Sequence, residues 1–223
     1  MSERDLLAER ERIGTWGEIN PARLALVLEH GGRKILDVGC ATGDYVRHLL
    51  ARGYDAYGVD ILPAEGWEAF PEGRVRRGDI LKLPFADDEF DTVTAFEVLE
   101  HIDDIDAAMR EIKRVTKKNI ILSVPDCEEP GVFKESGLAF HHWTDRTHRQ
   151  FFTAETLRRK IEEHGLAVRR LDRINPVRPE LIVLESLRLW RPIRRLAARL
   201  LRRVPAKRRF CMTLVAVVEK VVS

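Results

Sequence analysis

The chain has 223 residues, of which 44% are hydrophobic and 33% charged, with a formal net charge of +2 at pH 7. These proportions are typical of a soluble globular protein with a full core, and they come with no run of about 18 apolar residues that could form a transmembrane helix. The charged N-terminal residues argue against a secretory signal. Three widely spaced cysteines indicate reduced thiols, so we expect a cytoplasmic protein.

Apolar runs alternate with helix-period segments, which predicts an α/β protein with a mainly parallel sheet. The predicted strands are Lys34–Val38, Asp55–Asp60, Arg74–Gly78, Phe90–Phe96, Asn119–Val124, Ala167–Ile174 and Met212–Val222. The predicted helices are Asp44–Arg52, Ile105–Val115 and one from its cap Thr153 to Gly165. A single domain over 1–223 accounts for the pattern, with an N-terminal helical cap (1–31), a substrate or lid loop (126–152) and a basic amphipathic helical insertion (179–209).

The first predicted strand ends in Asp37, and a glycine loop follows it. Turns of this kind, between a strand and a helix, hold nucleosides or phosphates in α/β sheets. Gly39 removes a Cβ so that a ligand can approach the backbone, and the helix after Gly43 presents free N–H groups that favour a carboxylate. Ala41 replaces the second glycine of a Gly-x-Gly-x-x-Gly pattern, which disfavours a nicotinamide dehydrogenase and points towards S-adenosylmethionine. A tight turn without a ligand is the alternative.

Two more acids, Asp60 and Asp79, follow the second and third predicted strands. Because parallel strands end at one edge of a sheet, we expect both acids to lie beside Asp37 at the edge where such sheets bind ligands. Asp60 can accept hydrogen bonds from two ribose hydroxyls, and Asp79 from an adenine amino group while Ile80 packs against the ring. Each acid alone is more often a solvated strand end, but together they favour a nucleoside site.

Four stretches resemble the class I S-adenosylmethionine-dependent methyltransferases: ILDVGCATGDY, YGVDI, RGDILKLPFADDEFD and FEVLEHIDD, the last at Phe96–Asp104. The resemblance covers residues 33–125 and extends more weakly over 148–166. The likeness is greatest to the branch that includes ubiquinone and menaquinone biosynthesis methyltransferases. It implies a Rossmann-like fold with helices on both faces of a seven-stranded sheet, a reversed last strand, and S-adenosylmethionine as cofactor. The cofactor-binding residues implied by the resemblance are Asp37, Gly39, Cys40, Gly43, Tyr45, Asp60, Ile61, Asp79 and Ile80, with Phe96 and Glu97 beside the methionine portion.

Methyl transfer depends largely on alignment, and it needs a base only where the acceptor holds its proton tightly. His148, in the Asp-x-Thr-His run at 145–148, is the predicted catalytic residue, whereas His101 is expected to orient the loop after the fourth strand. A metal site on this loop is disfavoured because adjacent histidines are poor joint ligands, so no metal is predicted. Its members would be His141, His142, Asp145 and His148.

Other residues of the loop leave alternatives open. Trp143, Phe151 and Phe152 either line an aromatic or lipid-like substrate or fill the core of the loop. Cys127 is expected to be an ordinary loop thiol rather than a nucleophile. The fourth strand is not followed by Asn/Asp-Pro-Pro-Tyr/Phe, which disfavours an amino methyltransferase acting on nucleobases or glutamine.

No acid occurs between Glu185 and Glu219, where ten Arg or Lys residues leave 28 basic against 36 acidic residues for the rest of the chain. A helix over Leu181–Trp190 is predicted to precede a second helix with one apolar stripe. The stripe consists of Ile193, Leu196, Ala197, Leu200, Leu201 and Val204. It either packs on the domain or a second subunit with its arginines solvated, or lies in the interface of an anionic membrane. Nucleic acid is disfavoured because few aromatic residues are interleaved.

The sequence therefore predicts transfer of a methyl group from S-adenosylmethionine to a small-molecule or lipid-linked acceptor, in a protein that contacts an anionic membrane at most peripherally. The alternative is a non-catalytic S-adenosylmethionine-binding scaffold or regulatory protein that acts through its basic helical segment. Binding requires the same glycines and acids as transfer, so the sequence leaves both open.

Overall fold

A computed structural model of the chain describes residues 19–128, 145–177, 184, 190–201 and 210–221. The seven strands are β1 (Lys34–Val38), β2 (Asp55–Asp60), β3 (Val75–Arg77), β4 (Phe90–Phe96), β5 (Thr116–Pro125), β6 (Leu166–Val177) and β7 (Phe210–Lys220). The helices described are α1 (Pro21–His30), α2 (Asp44–Leu50), α3 (Ile105–Val115), α4 (Ala154–Glu163) and α5 (Arg191–Leu201).

All seven strands form one sheet in the order β3-β2-β1-β4-β5-β7-β6. The pairs among β1 to β5 are parallel, and β7 lies antiparallel between β5 and β6. The predicted Rossmann-like sheet with a reversed last strand is thereby confirmed. From β1 the chain adds β2 and β3 on one side and then β4 and β5 on the other. The carboxyl ends of β1 and β4 therefore border the crevice where open sheets bind ligands.

The central strands are buried on both faces, which explains their nearly continuous apolar sequences. On one face Leu36 and Val93 pack in a cluster with Met109 of α3. On the other face Ile35 packs in a cluster with Val46 of α2. Within the part of the chain that the structure describes, no helix is both long and apolar enough to cross a membrane.

Side-chain caps explain where two helices begin. Asn20 accepts hydrogen bonds from the first-turn N–H groups of α1, whose first residue is proline. Thr153 and Thr156 exchange hydrogen bonds in a reciprocal box before α4, as the predicted cap required. Residues 1–18 of the predicted helical cap lie outside the described residues, and α1 is the part of the cap that the structure describes.

The bounds of several elements differ from the predictions. β5 begins at Thr116 rather than Asn119, because Thr116 pairs with Phe90 of β4, and the register shifts before the next pair at Asn119. β6 reaches Val177 and includes Pro176, which an edge strand tolerates. β7 begins at Phe210 and ends at Lys220, and the shorter strand β3 covers Val75–Arg77. α2 ends at Leu50 instead of Arg52.

Candidate active site

The glycine loop between β1 and α2 has a left-handed backbone at both glycines, with φ +74° at Gly39 and +80° at Gly43. A Cβ on Gly39 would lie 2.3 Å from Cγ2 of Val98, and one on Gly43 would lie 2.7 Å from Cζ of Phe70. The space beside these glycines is therefore filled by side chains of the protein. Glycine is needed at both positions for the turn and for packing, and the close approach of a ligand to the Gly39 backbone stays a prediction.

Asp60 fastens this loop to the end of β2. One carboxylate oxygen accepts a hydrogen bond from the Ala41 N–H at 2.9 Å, and the other accepts from the Leu62 N–H at 2.9 Å. The Ala41 carbonyl in turn accepts from the indole N–H of Trp67 at 2.7 Å. Since each carboxylate oxygen has two lone pairs, Asp60 can hold the loop and still accept from a ligand hydroxyl.

Asp37 is buried at the end of β1 and accepts a hydrogen bond from Oγ1 of Thr94 at 2.6 Å. Burial raises the pKa of Asp37 to about 7, and the negative charge of Asp60 adds to that rise. The Thr94 hydrogen bond and the charge of Arg23 act in the opposite direction. The carboxylate form of Asp37 is thus costly here, and a nearby cation would stabilise it.

Arg23 of α1 belongs to the same site, although the sequence analysis did not single it out. Its guanidinium donates to Oε1 of Glu97 at 2.5 Å and lies 5.5 Å from the ring centroid of Phe96. Its Nε is buried and has no acceptor among the described residues. The sequence did carry a signal for Arg23: it lies three and four residues before Leu26 and Val27, on the helical face that these residues bury.

Glu97 follows β4 with a positive φ of +54°, an uncommon conformation for a residue with a side chain. Its carboxylate also accepts from Oγ of Ser123 at 3.0 Å. Burial raises the pKa of Glu97, while the charge of Arg23 and the Ser123 hydrogen bond oppose the rise. A guanidinium with one donor that no described residue uses therefore lies among acids that are costly to ionise.

The aromatic residues of the prediction lie next to this arginine. The rings of Tyr45 and Phe96 have centroids 5.0 Å apart, and the Tyr45 hydroxyl accepts from the Asn20 N–H at 3.0 Å. At the start of α2, Asp44 accepts from Oγ1 of Thr42, so the protein's own carboxylate lies near the N–H groups predicted to favour one. The Tyr45 hydrogen bond ties the start of α1 to the first turn of α2.

The other predicted residues divide between the core and the surface. The Cys40 side chain packs against Gly58, so it lies in the core and not on the surface of the glycine loop. Asp79 is exposed and accepts from the Leu81 N–H at 2.9 Å. Ile80 is only 8% exposed, whereas Ile61 is 46% exposed. Ile61 is therefore the more accessible of the two side chains, and the packing of Ile80 on a ring face stays a prediction.

A second group of polar residues surrounds His148. Its Nε2 lies 3.8 Å from a carboxylate oxygen of Asp145, and its ring centroid lies 4.9 Å from that of His101. Asp145 accepts from the Thr147 N–H at 2.8 Å and from its hydroxyl at 2.7 Å. Burial alone would raise the pKa of Asp145, but these hydrogen bonds and the two histidines outweigh it and leave the pKa below its usual value. An ionised carboxylate thus faces the His148 imidazole.

Glu100 lies beside these histidines and is almost fully buried, with an Oε2 that has no partner among the described residues. Burial raises its pKa well above the usual value, and the charge of Glu97 raises it further. Ligand atoms of Glu100, His101 and His148 lie within 4.8 Å of one another and could hold a metal ion. Bonds of about 2.0–2.2 Å require a closer set, so the group would have to contract. The disfavoured metal set differs from this one, and its His141 and His142 lie outside the described residues.

The cysteine and the aromatic residues of the predicted 126–152 loop lie in different surroundings. Burial raises the pKa of the Cys127 thiol to about 11, which suits an ordinary thiol and makes it a poor nucleophile. Phe152 belongs to the core, whereas Phe151 is 47% exposed, with its ring centroid 6.5 Å from that of His148. Trp143 lies outside the described residues.

Comparison with known proteins gives this geometry a context. The sequence profile of the methyltransferase domain family matches residues 8–171. A demethylmenaquinone methyltransferase of Roseiflexus sp. (strain RS-1) is 33% identical over 138 residues, which cover 59% of this chain and 57% of that protein. A ubiquinone biosynthesis O-methyltransferase of Hahella chejuensis is 35% identical over 111 residues, which cover 45% of this chain and 47% of that protein. The chain thus spans about half the length of the curated relatives it matches.

The fold has close counterparts among solved structures. A SAM-dependent methyltransferase from Archaeoglobus fulgidus superposes with a TM-score of 0.63 at 19% identity, covering 98% of this chain and all of that one. At that identity the likeness shows the fold alone. It agrees with the strand order described above.

Proposed function

The chain belongs to the methyltransferase domain family, and on that premise we propose that it moves a methyl group from S-adenosylmethionine to a small-molecule or lipid-linked acceptor. The observation that carries the proposal is the Arg23 Nε, which has no acceptor in the described part of the chain and lies among Asp37 and Glu97 at the carboxyl ends of β1 and β4. Buried acids with raised pKa values favour a cationic ligand, and a guanidinium with a free N–H favours a carboxylate. S-adenosylmethionine carries both features.

Each part of that ligand has a residue suited to it. Arg23 would hold the methionine carboxylate, and Glu97 and Asp37 the positive charges beside it. Asp60 would accept from the ribose hydroxyls while keeping its bonds to the Ala41 and Leu62 N–H groups. Ile61 would cover the adenine ring with its exposed side chain, next to Asp79.

When bound, S-adenosylmethionine supplies a methyl group made electrophilic by its sulfonium. The protein has to align the acceptor and, for a hydroxyl acceptor, remove its proton. We propose His148 as the base that accepts this proton, because the ionised Asp145 beside it stabilises the imidazolium that forms. Asp145 is a positioning residue in this scheme, and Phe151 is an exposed aromatic wall for the acceptor.

The acceptor class comes from the relatives. Two of them are named for demethylmenaquinone and for ubiquinone biosynthesis, so a hydroquinone or catechol ring is the first acceptor to try. The exposed Phe151 ring, whose centroid lies 6.5 Å from that of His148, offers such an acceptor an aromatic surface beside the proposed base. A prenyl tail on the ring would make the acceptor lipid-linked.

The test supplies S-adenosylmethionine with a water-soluble catechol and with its prenylated homologue, and it measures S-adenosylhomocysteine. We predict turnover on one of the two for the wild type. His148→Ala should lower turnover by about 10²–10⁴-fold, the usual contribution of a general base. Affinity for S-adenosylmethionine should stay within about twofold, and the control His164→Ala should match the wild type. Equal turnover of His148→Ala and wild type would remove His148 as the base.

Two further measurements distinguish a general base from a metal site, and an enzyme from a non-catalytic scaffold. Dialysis against EDTA should leave turnover unchanged if His148 acts as a base, and abolish it if Glu100, His101 and His148 hold a metal ion. Tight binding of S-adenosylmethionine without product on any acceptor, including those in a cell extract, would favour the scaffold alternative.

A further inference from the structure

α5 exposes three large apolar residues of the predicted stripe. Exposed fractions are 53% for Ile193, 60% for Leu196 and 53% for Leu200, and Trp190 just before the helix is 73% exposed. The three aliphatic residues lie at positions i, i+3 and i+7, on one side of the helix. Ala197 and Leu201 are half-buried, and Val204, the last residue of the predicted stripe, lies outside the described residues. Among the alternatives that the sequence leaves open, this exposure favours a contact of the apolar face outside its own domain, either with a second subunit or with a membrane.

The charge beside this apolar face has a single sign. Arg195 and Arg199 are exposed on α5, and the sequence has no acid between Glu185 and Glu219. Helices that lie in a membrane interface combine such an apolar face with arginines that meet anionic headgroups. A phosphate surface supplies the negative charge that this segment itself lacks.

The same charge argues against a second copy of the chain as the occupant. Two α5 helices that paired through Leu196 and Leu200 would bring arginines together with no acid from the segment to balance them. Paired helices usually place opposite charges beside their apolar seam. Repulsion would oppose such a dimer, whereas an anionic surface would attract the same face.

The topology determines which side of the protein this segment leaves from. In the register of the sheet Val177 pairs with Phe210, and Pro125 at the end of β5 pairs with Thr213. Because β7 is antiparallel to β5, the chain leaves β6 and enters β7 at the edge where β1, β4 and β5 end. Asn175 at this end of β6 accepts from the Asn20 side chain at 2.8 Å, next to α1.

We propose that α5 docks the protein on an anionic lipid surface, with Ile193, Leu196 and Leu200 in the interface and Arg195 and Arg199 against the headgroups. The edge that carries the candidate active site is then the edge from which the docking segment leaves. Docking itself does not depend on the proposed methyl transfer. Only the benefit of presenting a lipid-linked acceptor to the site rests on the proposed function.

The test is cosedimentation of the full chain with phosphatidylglycerol–phosphatidylcholine vesicles and with pure phosphatidylcholine vesicles. We expect binding to the anionic vesicles alone, weakened at high salt. Arg195→Gln with Arg199→Gln should lower the partition coefficient about fivefold per arginine. The matched control is Arg158→Gln with Arg159→Gln, the same charge change on the exposed face of α4, and it should bind like the wild type.

A second pair of variants tests the apolar face. Leu196→Gln with Leu200→Gln should lower vesicle binding at least about tenfold, because binding scales with the apolar area inserted. Leu28→Gln with Val221→Gln changes residues of comparable exposure elsewhere and should have no effect. Thermal unfolding and S-adenosylmethionine affinity should be the same in all variants, which separates this proposal from the proposed function.

Three results would overturn the proposal. They are a wild type that ignores anionic vesicles, a Leu196 and Leu200 variant that binds them like the wild type, and a wild-type dimer that this variant converts to monomer without any vesicle binding. The last result would assign the face to a second copy of the chain.

Discussion

Asp37 combines a buried position with a neighbouring acid, and burial raises its pKa to about 7. An aspartate in an unfolded chain has a pKa near 3.8–3.9. Between these two values the folded protein holds a proton that the unfolded chain releases. The free energy of unfolding therefore falls as the pH rises from about 4 to 7, by at most about 1.4 kcal/mol per pH unit for this one group.

Asp37→Asn should remove that dependence. We predict that the variant gains stability relative to the wild type as the pH rises from 4 to 7, and that the difference is constant above 7. Urea unfolding of the ligand-free protein at several pH values measures it.

Asp91→Asn is the matched control, because the contribution of Asp91 to the free energy of unfolding changes with pH in the opposite direction. Hydrogen bonds from the Lys34 and Arg33 N–H groups help to lower the pKa of Asp91. Its contribution to stability is present above about pH 4 and is lost as the pH falls through its native pKa. A difference between wild type and Asp37→Asn that does not change with pH would contradict our account of Asp37.

Asp60 shows what a residue pattern can and cannot predict. The acid at the end of β2 was predicted from the strand pattern, and the structure places it beside the glycine loop. Its two backbone partners could not be predicted, because the Ala41 and Leu62 N–H groups reach it only through the folded turns on either side. Arg23 was missed for the same reason, since its partner Glu97 is distant in sequence and lies on another element.

At the scale of elements, the glycine loop contains one residue under strain. Ala41 has φ +47°, in the left-handed region that costs a residue with a Cβ about 1–2 kcal/mol. Glycine removes that cost but makes the unfolded chain more flexible, which costs about 0.4–1 kcal/mol. We therefore predict that Ala41→Gly stabilises the ligand-free protein by about 0.5–1 kcal/mol.

Thermal or urea unfolding tests this prediction, with Ala51→Gly as the control. Ala51 has a right-handed backbone at the end of α2, with φ −61°, so glycine there brings only the entropic cost and should destabilise. If Ala41→Gly destabilises the protein as much as Ala51→Gly does, the strain we assign to the loop is absent.

The buried strands and capped helices were predictable because each has a local signal. β1, β2 and β4 have the predicted bounds, and so does α3, whose apolar residues recur at helical spacing. The errors lie where a neighbour determines the structure. β5 extends into polar residues because β4 pairs with Thr116, and β6 passes Asn175 because β7 pairs with it up to Val177.

At the scale of the whole molecule, the order of the sheet brings together residues from five separate parts of the chain. After β3 the chain crosses to the other side of β1 and adds β4 there, parallel to β1. As a result α1, the glycine loop and the ends of β2 and β4 meet at one edge of the sheet. The segment at 145–152 joins them because the Arg149 and Gln150 N–H groups donate to the Glu100 carbonyl at 2.7 and 3.0 Å. The acids at the ends of successive predicted strands indicated this edge from the sequence, but the contacts made across it depend on the fold.

Charge is also distributed at this scale. The basic segment between β6 and β7 offsets an acidic remainder, so the small net charge conceals two regions of opposite sign. The sequence showed that asymmetry but could not say which side of α5 is exposed. Exposure depends on how the helix rests on the rest of the molecule.

The central claim is that Arg23, with the acids around it, holds the aminocarboxylate end of S-adenosylmethionine. Titration calorimetry with two ligands tests it most directly, because 5′-methylthioadenosine has the same nucleoside but lacks that end. We predict that Arg23→Met lowers S-adenosylmethionine affinity at least about tenfold, the equivalent of one charged hydrogen bond, and leaves 5′-methylthioadenosine affinity unchanged. Failure of the wild type to bind S-adenosylmethionine, or equal losses for both ligands in Arg23→Met, would contradict the account.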